Sequence, residues 1–343
     1  MARPDGTIQL GHGGGGRLSQ QLMQELVVPV LGPEDAVLHD AVRLVSPGSE
    51  LAFTTDSYVV QPLFFPGGDI GRLAVLGSVN DLWMAGARPL ALSLGLILEE
   101  GLELAVLECV LQSIAQACRQ CGVSVMTGDT KVVERGKGDG IFINTSAIGV
   151  VEHDLQIHPS SIRPGDVLLV SGDLGRHGTA ILAARKSLGL RTALESDLAS
   201  LQPPVEALLA AGIRVHCLRD LTRGGLASAV DELARSSAHC CLLEETAIPL
   251  HPTVAGVCDL LGLDPLGMAN EGRMLVICPP SDAERALQVL QEFQTDAAVI
   301  GTVGEPLAVA SALQRRYPAS IRNALGVLRP LDLGSGEQLP RIC

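Results

Sequence analysis

Apolar and polar positions in the first half of the chain alternate between two periods. Strands are predicted over four short segments rich in aliphatic residues: 51–55, 90–98, 123–126 and 141–151. Segments 70–87 and 103–121 carry apolar residues at helical spacing, and the second places one apolar stripe along its whole length. This half is therefore predicted to form a complete α/β unit.

The second half repeats this rhythm after a polar stretch, 153–166, that contains Pro159 and Pro164. Its predicted strands are 167–170, 241–244, 274–278 and 297–303. Its predicted helices are 179–188, 204–211, 226–236 and 282–293. After Tyr317 the pattern ends, and prolines with a Gly-Ser-Gly run predict irregular structure.

These patterns predict an α/β (α+β) fold of two domains, 1–155 and 156–317, followed by a flexible tail, 318–343. The length of 343 residues is large for one hydrophobic core, which also favours two domains. The composition is 47% hydrophobic but 2% aromatic, with 38 glycines and 20 prolines. Such a composition fits small aliphatic cores joined by tight turns.

Charge and hydropathy exclude several classes of partner. The longest apolar candidate, 89–98, is too short to span a membrane, and the first residues lack the apolar region of a signal peptide. We therefore expect a cytoplasmic protein that does not bind membranes. The net charge of −13, with scattered Lys and Arg, also excludes nucleic acid. Nucleotides stay compatible with this charge if carboxylates hold Mg²⁺, which then faces the phosphates.

The nine cysteines are an odd number and do not indicate a disulfide framework. Cys118 and Cys121 have the spacing of a redox pair, but they close a predicted helix, whereas a reactive thiol is favoured at a helix N-terminus. We interpret both as core residues. The same interpretation applies to six cysteines that lie among aliphatic residues without zinc-ligand spacing: Cys109, Cys217, Cys240, Cys241, Cys258 and Cys278.

A glycine-rich run at 11–16 satisfies the GxGxxG pattern of dinucleotide-binding loops, with Asp35 as the acidic partner. The signal is weak because five glycines in six positions meet the pattern by default. A P-loop is excluded, since Arg17 and Leu18 stand where Lys and Ser or Thr are needed. Consecutive glycines still let backbone N–H groups approach an anion, so the run is a candidate phosphate flap; a disordered arm is the alternative. The flap candidates are Gly13, Gly14, Gly15 and Gly16.

Carboxylates in the first domain follow or interrupt apolar segments. Asp56 stands where the first strand is predicted to end, a frequent place for ligand-binding groups, and is a candidate metal ligand. Asp69 precedes a helix and is interpreted as its N-cap. Asn80 and Asp81 interrupt the apolar face of that helix, where polar groups need a partner, and a metal nucleotide would supply one.

A third carboxylate follows the predicted strand 123–126. Asp129 has Lys131 two residues later, and this combination suits phosphate chemistry. Carboxylates hold Mg²⁺, while lysine neutralises charge that moves onto the γ-phosphate oxygens during transfer. Each of Asp56, Asp81 and Asp129 alone is more often a cap or turn residue, but three in one domain favour a metal-nucleotide site.

The second domain carries fewer candidates. Arg219 and Arg223 surround a helix-opening Gly-Gly, which suits anion or domain-interface contacts, with a surface salt-bridge cluster as the alternative. Glu271 lies in a tight polar turn, and Arg273 beside it can simply neutralise it. The sequence ends at Cys343, after a proline-containing segment whose last ten residues can span about 30 Å. A thiol on such a segment can visit two sites.

Together these segments resemble the HypE family of hydrogenase maturation proteins over essentially the whole chain. The motifs that carry the resemblance are 54–60 (TTDSYVV), 64–71 (FFPGGDIG), 79–82 (VNDL), 127–133 (TGDTKVV), 219–225 (RDLTRGG) and 340–343 (PRIC). The acidic motifs indicate the broader superfamily of aminoimidazole-ribonucleotide synthetase-like (PurM-like) enzymes. The Pro-Arg-Ile-Cys ending makes the match specific to HypE.

The resemblance implies a PurM-like fold in which the N-terminal domain dimerises through its sheet and binds ATP, the C-terminal domain covers it, and the tail enters the cleft. It implies that Asp56, Asp81 and Asp129 hold Mg²⁺-ATP, with Asn80 and Lys131 nearby and Gly13 to Gly16 as the flap. It also implies three protein partners: the carbamoyltransferase HypF, a HypC–HypD complex and a second copy of the chain.

The implied reaction is the ATP-dependent dehydration of a carbamoyl group carried on Cys343 to a thiocyanate, whose cyanide passes to the iron of a [NiFe]-hydrogenase. The dehydration requires a base that removes a proton from the carbamoyl nitrogen, and the candidates are Lys131 and Glu271. Two rival functions stay open at this point. A selenophosphate synthetase would need a reactive cysteine near the glycine run, but residues 1–50 contain none. A non-catalytic carrier would use Cys343 only as a tether.

Overall fold

The computed structural model describes residues 6–13, 17–31, 48, 50–185, 190, 192–331 and 341–343. These residues divide into two compact units. The N-terminal unit comprises 1–82, 87–152 and Cys343, and the C-terminal unit comprises 83–86 and 153–342. The predicted domain boundary lay at 155/156, three residues beyond the point at which the two units divide.

The N-terminal unit contains a four-stranded sheet, a separate two-stranded hairpin and helices. Its strands are β1 (Leu51–Tyr58), β2 (Phe64–Phe65), β3 (Gly68–Asp69), β4 (Ala87–Glu99), β5 (Val125–Val133) and β6 (Ile141–Val151). Its helices are α1 (Arg17–Leu22), α2 (Val28–Leu31), α3 (Ile70–Met84) and α4 (Leu104–Cys121). The sheet order is β1-β6-β4-β5, and β2 and β3 form a separate hairpin. Only β4 and β5 are parallel, because α4 makes the crossover between them.

The two faces of this sheet differ in burial. On the covered face, Tyr58 packs against α3 at Gly77, where any side chain would collide with the tyrosine hydroxyl. The hydroxyls of Ser78 on α3 and Thr145 on β6 also form a buried hydrogen bond of 2.6 Å. On the other face Phe53 is 69% exposed. Because side chains alternate along a strand, the covered face carries the even-numbered residues of β1 and the open face the odd-numbered ones.

Helix α4 confirms the predicted apolar stripe. It ends at Gly122, whose φ of 64° is the left-handed conformation that glycine adopts readily. Its buried residues are Leu107, Val110, Leu111, Ile114, Ala115, Ala117, Cys118 and Cys121. Burial raises the pKa of the Cys118 thiol to about 12, which is the opposite of what a redox cysteine needs. The interpretation of Cys118 and Cys121 as core residues is therefore confirmed.

The C-terminal unit is built on a seven-stranded sheet of order β13-β12-β9-β11-β7-β10-β8. Its strands are β7 (Val167–Val170), β8 (Cys217–Asp220), β9 (His239–Glu244), β10 (Met274–Cys278), β11 (Ala298–Pro306), β12 (Ala319–Arg322) and β13 (Leu328–Pro330). Its helices are α5 (Arg176–Ala184), α6 (Gln202–Ala210), α7 (Gly225–Ser237), α8 (Pro252–Leu261), α9 (Pro280–Gln291) and α10 (Ala312–Arg316). Every residue of β7 and β10 is buried, so these central strands form the core and show no alternation.

The end of the chain is more regular than the sequence predicts. Within the predicted flexible tail, 318–343, strand β12 pairs in parallel with β9, and β13 then pairs with β12. The buried side chains of Ala319 and Ile321 explain this order, because an apolar pair on one face docks on an existing sheet. Prolines at both ends of this segment do not prevent pairing at a sheet edge. The prediction of irregular structure from 318 onward is therefore wrong for the two strands.

Two further features complete the described fold. The nine cysteines all lie within the described residues and form no disulfide, and those predicted as core residues are buried except Cys109, which is half-buried. Among the helices of the described residues, none combines the length and hydrophobicity needed to cross a lipid bilayer.

The packing of α4 generates a prediction for stability. Ile114 is fully buried, so Ile114→Ala is expected to lower the free energy of unfolding by about 2–5 kcal/mol through lost transfer energy and a cavity. Urea unfolding followed by circular dichroism measures the change. Gln116→Ala on the exposed face of the same helix is the control, and its effect should stay within about 0.5 kcal/mol. Equal effects of the two substitutions would contradict this packing.

Candidate active site

The covered face of the N-terminal sheet brings two of the predicted carboxylates together. Asp56 lies near the end of β1, and its Oδ2 accepts a 3.2 Å hydrogen bond from the hydroxyl of Tyr58. Asp81 lies on α3, and its Oδ2 accepts a 2.6 Å hydrogen bond from Oγ1 of Thr54. Thr54, Asp56 and Tyr58 are alternate residues of one strand and therefore face α3 together. Both carboxylates are half-buried, so they keep access to a ligand.

Other polar residues of this region have structural partners. The side chain of Asn80 is buried within α3. The carboxylate of Asp69 accepts hydrogen bonds from the backbone N–H groups of Gly71 and Arg72, at 2.7 and 3.1 Å, which confirms its N-cap role. The hydrogen-bonded hydroxyls of Ser78 and Thr145 had no signal in the sequence, because no local pattern pairs residues 67 positions apart.

Asp129 and Lys131 lie on the open face, away from Asp56 and Asp81. Across the sheet, Asp129 on β5 is in register with Gly95 on β4, then with Asn144 on β6, and finally with Ser57 on β1. Ser57 is an odd-numbered residue of β1 and faces the open side, so Asp129 faces the open side as well. The two strands between β1 and β5 separate it from β1 by about 14 Å. Its Oδ2 lies 3.4 Å from Nζ of Lys131, and both side chains are exposed. Within one chain, therefore, the structure does not bring the three predicted metal ligands together.

Among the described residues, no three His, Cys, Asp or Glu side chains lie close enough together to bind a metal ion by themselves. Asp56 and Asp81 nevertheless supply the hard oxygen donors that Mg²⁺ prefers. Mg²⁺ is commonly bound by one or two carboxylates together with substrate phosphates and waters, so this pair fits a metal nucleotide better than a bare ion.

The glycine run is described only in part. Gly13 closes a 3₁₀ turn, Leu10–Gly13, while Gly14, Gly15 and Gly16 lie outside the described residues. The segment before the turn is anchored: Ile8 is buried, and it exchanges two backbone hydrogen bonds of 2.7 Å with Gly101 and Leu102. Residues 6–13 are therefore not a free arm.

The last residue of the chain lies at the end of β1. The backbone N–H of Val59, the residue directly after β1, donates a 3.1 Å hydrogen bond to the carbonyl oxygen of Cys343. Cys343 is half-buried and belongs to the N-terminal unit. The strand that carries Asp56 thus also holds the terminal thiol residue. Sequence alone offered no sign of this contact, since it joins positions near opposite ends of the chain.

The C-terminal unit places Glu271 in a buried turn. The backbone N–H groups of Glu271 and Gly272 donate to Oδ2 of Asp197, at 3.1 and 2.9 Å. Arg273, which follows Glu271 closely in the sequence, donates from its Nη2 to Asp173, at 2.8 Å, deep in the unit. Asp197 was missed because the segment around it shows no periodic pattern.

The arginine motif of this unit forms surface contacts. Nη2 of Arg219 donates to Oε2 of Glu232 at 2.8 Å, and both side chains are exposed. Arg223 is also exposed. The alternative of a surface salt bridge therefore describes Arg219, and such pairs contribute little to stability.

Comparison with known proteins places this two-unit architecture in a class. The family model of the AIR synthase related protein N-terminal domain matches residues 34–151, and that of the C-terminal domain matches residues 163–310. The fold is thus that of the AIR synthase related, PurM-like proteins.

Full-length relatives define the family within this class. Carbamoyl dehydratase HypE of Rhodobacter capsulatus is 46% identical, and the match covers 100% of both chains. A crystal structure of hydrogenase maturation protein HypE in complex with ATP is 46% identical, with a TM-score of 0.91, and covers 98% of this chain and 100% of the other. A HypE–HypF complex structure is 40% identical, with a TM-score of 0.76, and covers 82% and 90%. This chain belongs to the HypE family of carbamoyl dehydratases, which are hydrogenase maturation enzymes.

Proposed function

We propose that this enzyme dehydrates an S-carbamoyl group on Cys343 to a thiocyanate at the expense of ATP. The observation that carries the proposal is the hydrogen bond between Val59 and Cys343, because it places the thiol-bearing residue at the end of the strand that presents Asp56. The family name supports the dehydratase chemistry, and the relative solved with ATP supports the nucleotide.

Asp56 and Asp81 are the proposed protein ligands of Mg²⁺-ATP, with Asn80 behind them. When bound, Mg²⁺ would neutralise phosphate charge, which the acidic chain itself cannot do. Asp129 and Lys131 face the opposite side of the sheet within one chain. Their proposed role therefore requires a second copy of the chain, in the homodimer, to bring them to the nucleotide. Gly13 to Gly16 remain the proposed flap over the phosphates.

The reaction consists of two steps on the carbamoyl group. First, the amide oxygen attacks the γ-phosphorus, ADP leaves, and the nitrogen loses one proton, so that a C–O–phosphate bond replaces the carbonyl. Second, the nitrogen loses its remaining proton while phosphate leaves with the oxygen, and S–C≡N results. Phosphorylation is needed because an amide oxygen is a poor leaving group. Lys131 and Glu271 are the proposed bases for both proton transfers.

The partners follow from the same chemistry. A HypF-type carbamoyltransferase would load Cys343, as the solved complex of a relative with HypF suggests. The cyanide would then pass to the iron of a [NiFe]-hydrogenase precursor on a HypC–HypD complex, in the cytoplasm. A homodimer is proposed because the open face of the sheet leaves apolar side chains in water: Leu51 is 49%, Phe53 69% and Ile97 41% exposed.

The central prediction concerns the mass of the C-terminal peptide. After incubation with a HypF-type carbamoyltransferase, carbamoyl phosphate and ATP, the peptide that contains Cys343 should gain one carbamoyl group and then lose one water. Intact-mass and peptide-mass spectrometry follow both steps. Cys343→Ser should show neither a carbamoyl thioester nor a thiocyanate. ATP consumption with the full carbamoyl mass retained on Cys343 would refute the reaction.

The carboxylate pair predicts a defect in nucleotide binding. Asp56→Asn and Asp81→Asn are each expected to weaken Mg²⁺-ATP binding by about ten- to a hundredfold, because a charged oxygen ligand is replaced by a neutral amide. Isothermal titration calorimetry measures the dissociation constant. Glu152→Gln is the matched control, since this carboxylate of the same unit pairs with Arg88 on the surface. Binding at the original affinity in both site variants would remove the pair from the site.

The choice of base predicts a defect in the chemical step. Lys131→Ala is expected to lower the single-turnover rate of dehydration by about a hundredfold, the usual contribution of a general base. Lys131→Arg retains the charge without an efficient proton acceptor and should also be slow. The rate is followed by quenched-flow mass spectrometry on carbamoylated protein. An unchanged rate in Lys131→Ala would leave Glu271 as the remaining candidate.

A further inference from the structure

Two side chains of the C-terminal unit hold the main chain just before Cys343. Nε2 of His177 lies 2.8 Å from the carbonyl oxygen of Ile342. Nη2 of Arg185 donates to the carbonyl oxygen of Arg341, also at 2.8 Å. The side chain of Ile342 is 3% exposed. Two consecutive carbonyl groups and one apolar side chain of the C-terminal segment are thus bound within this unit.

The surroundings of His177 determine which of its ring nitrogens is the donor. A carbonyl oxygen can only accept, so Nε2 must carry the proton that bonds to Ile342. Nδ1 is then the acceptor and faces Oγ of Ser196 at 2.8 Å, while this hydroxyl oxygen accepts from the N–H of Leu198 at 3.1 Å. Burial lowers the pKa of His177, which favours the same neutral form. The imidazole is therefore oriented before it meets the tail.

The backbone of His177 is fixed by the same carboxylate that fixes Glu271. Its N–H donates to Oδ1 of Asp197 at 3.0 Å, while Oδ2 accepts from Glu271 and Gly272. Gly272 is required here, because a Cβ at this position would collide with the carbonyl oxygen of Asp197. The residue that contacts the tail and the turn that carries a candidate base are thus joined through one buried side chain.

We propose that His177 and Arg185 are positioning residues. They bind the main-chain carbonyl groups of residues 341 and 342 and thereby set the position of Cys343. Both contacts are made to main-chain carbonyl oxygens and not to the sulfur of Cys343. The segment can therefore dock in the same register whether the thiol is free, carbamoylated or cyanylated. The catalytic meaning of this docking rests on the proposed dehydration, whereas the docking itself does not.

The test measures the accessibility of Cys343 without ATP or any cargo. In the full chain with Cys109→Ser, Cys343 is the remaining cysteine that is not buried, and Ellman's reagent reports its reaction rate. His177→Leu and Arg185→Met should each raise this rate by roughly three- to tenfold, the effect of losing one hydrogen bond. His177→Gln should restore a rate near that of the parent, because its amide N–H can replace the Nε2 donor.

Arg163→Met is the matched control, since Arg163 also donates to two main-chain carbonyls of this unit, those of Ser160 and Ile162. Its rate should equal that of the parent. Unchanged rates in His177→Leu and Arg185→Met, equal acceleration in Arg163→Met, or no restoration by His177→Gln would each overturn the proposal. If His177→Leu does not fold, the comparison of Arg185→Met with Arg163→Met decides.

A second measurement separates this proposal from the proposed function. Single-turnover dehydration should slow in His177→Leu and Arg185→Met by a factor similar to the gain in thiol accessibility, while carbamoyl loading stays unchanged. One outcome is that Cys343 reacts faster in His177→Leu and Arg185→Met while the parent protein shows no dehydration activity. This outcome would refute the proposed reaction and support the proposed docking. Normal dehydration with a freely accessible thiol would overturn the positioning role.

Discussion

The proposed reaction depends on one constraint: the thiol of Cys343 must be held at a fixed place. A backbone hydrogen bond from Val59 to Cys343 contributes to holding this residue at the end of β1. Such a bond contributes about 1 kcal/mol. Within the C-terminal unit, His177 and Arg185 bind the main chain of the two preceding residues.

In the acidic site, hydroxyl groups orient the carboxylates. Thr54 and Tyr58 donate to Asp81 and Asp56, and both carboxylates stay partly exposed. A buried arginine would have neutralised these charges, as Arg273 does for Asp173 in the other unit. The same chain thus uses carboxylates in two ways: paired with arginine where they serve packing, and bound by hydroxyls where a cationic ligand is expected.

Successive side chains of a strand point to opposite faces of the sheet, and this alternation determines which of the candidate carboxylates can act together. Asp56 and Asp129 both lie on strands of one sheet, and both follow a pattern of apolar residues ending in a carboxylate. The register places them on opposite faces, because Asp129 shares its row with Ser57 and not with Asp56. A shift of one residue would have placed them on the same face. No property of either motif reveals that register, since it is set by three successive strand pairings.

The sequence by itself determined the elements that have a strong local signal. The stripe of α4, the N-cap at Asp69 and the buried runs of β7 and β10 are local patterns of apolar and polar residues, and they are formed as predicted. Tertiary structure alone decided the strand pairing of β12, the opposite faces of Asp56 and Asp129, and the contacts of His177 with Ile342. Each of these joins residues far apart in the chain, and their free energy depends on packing that exists only after folding.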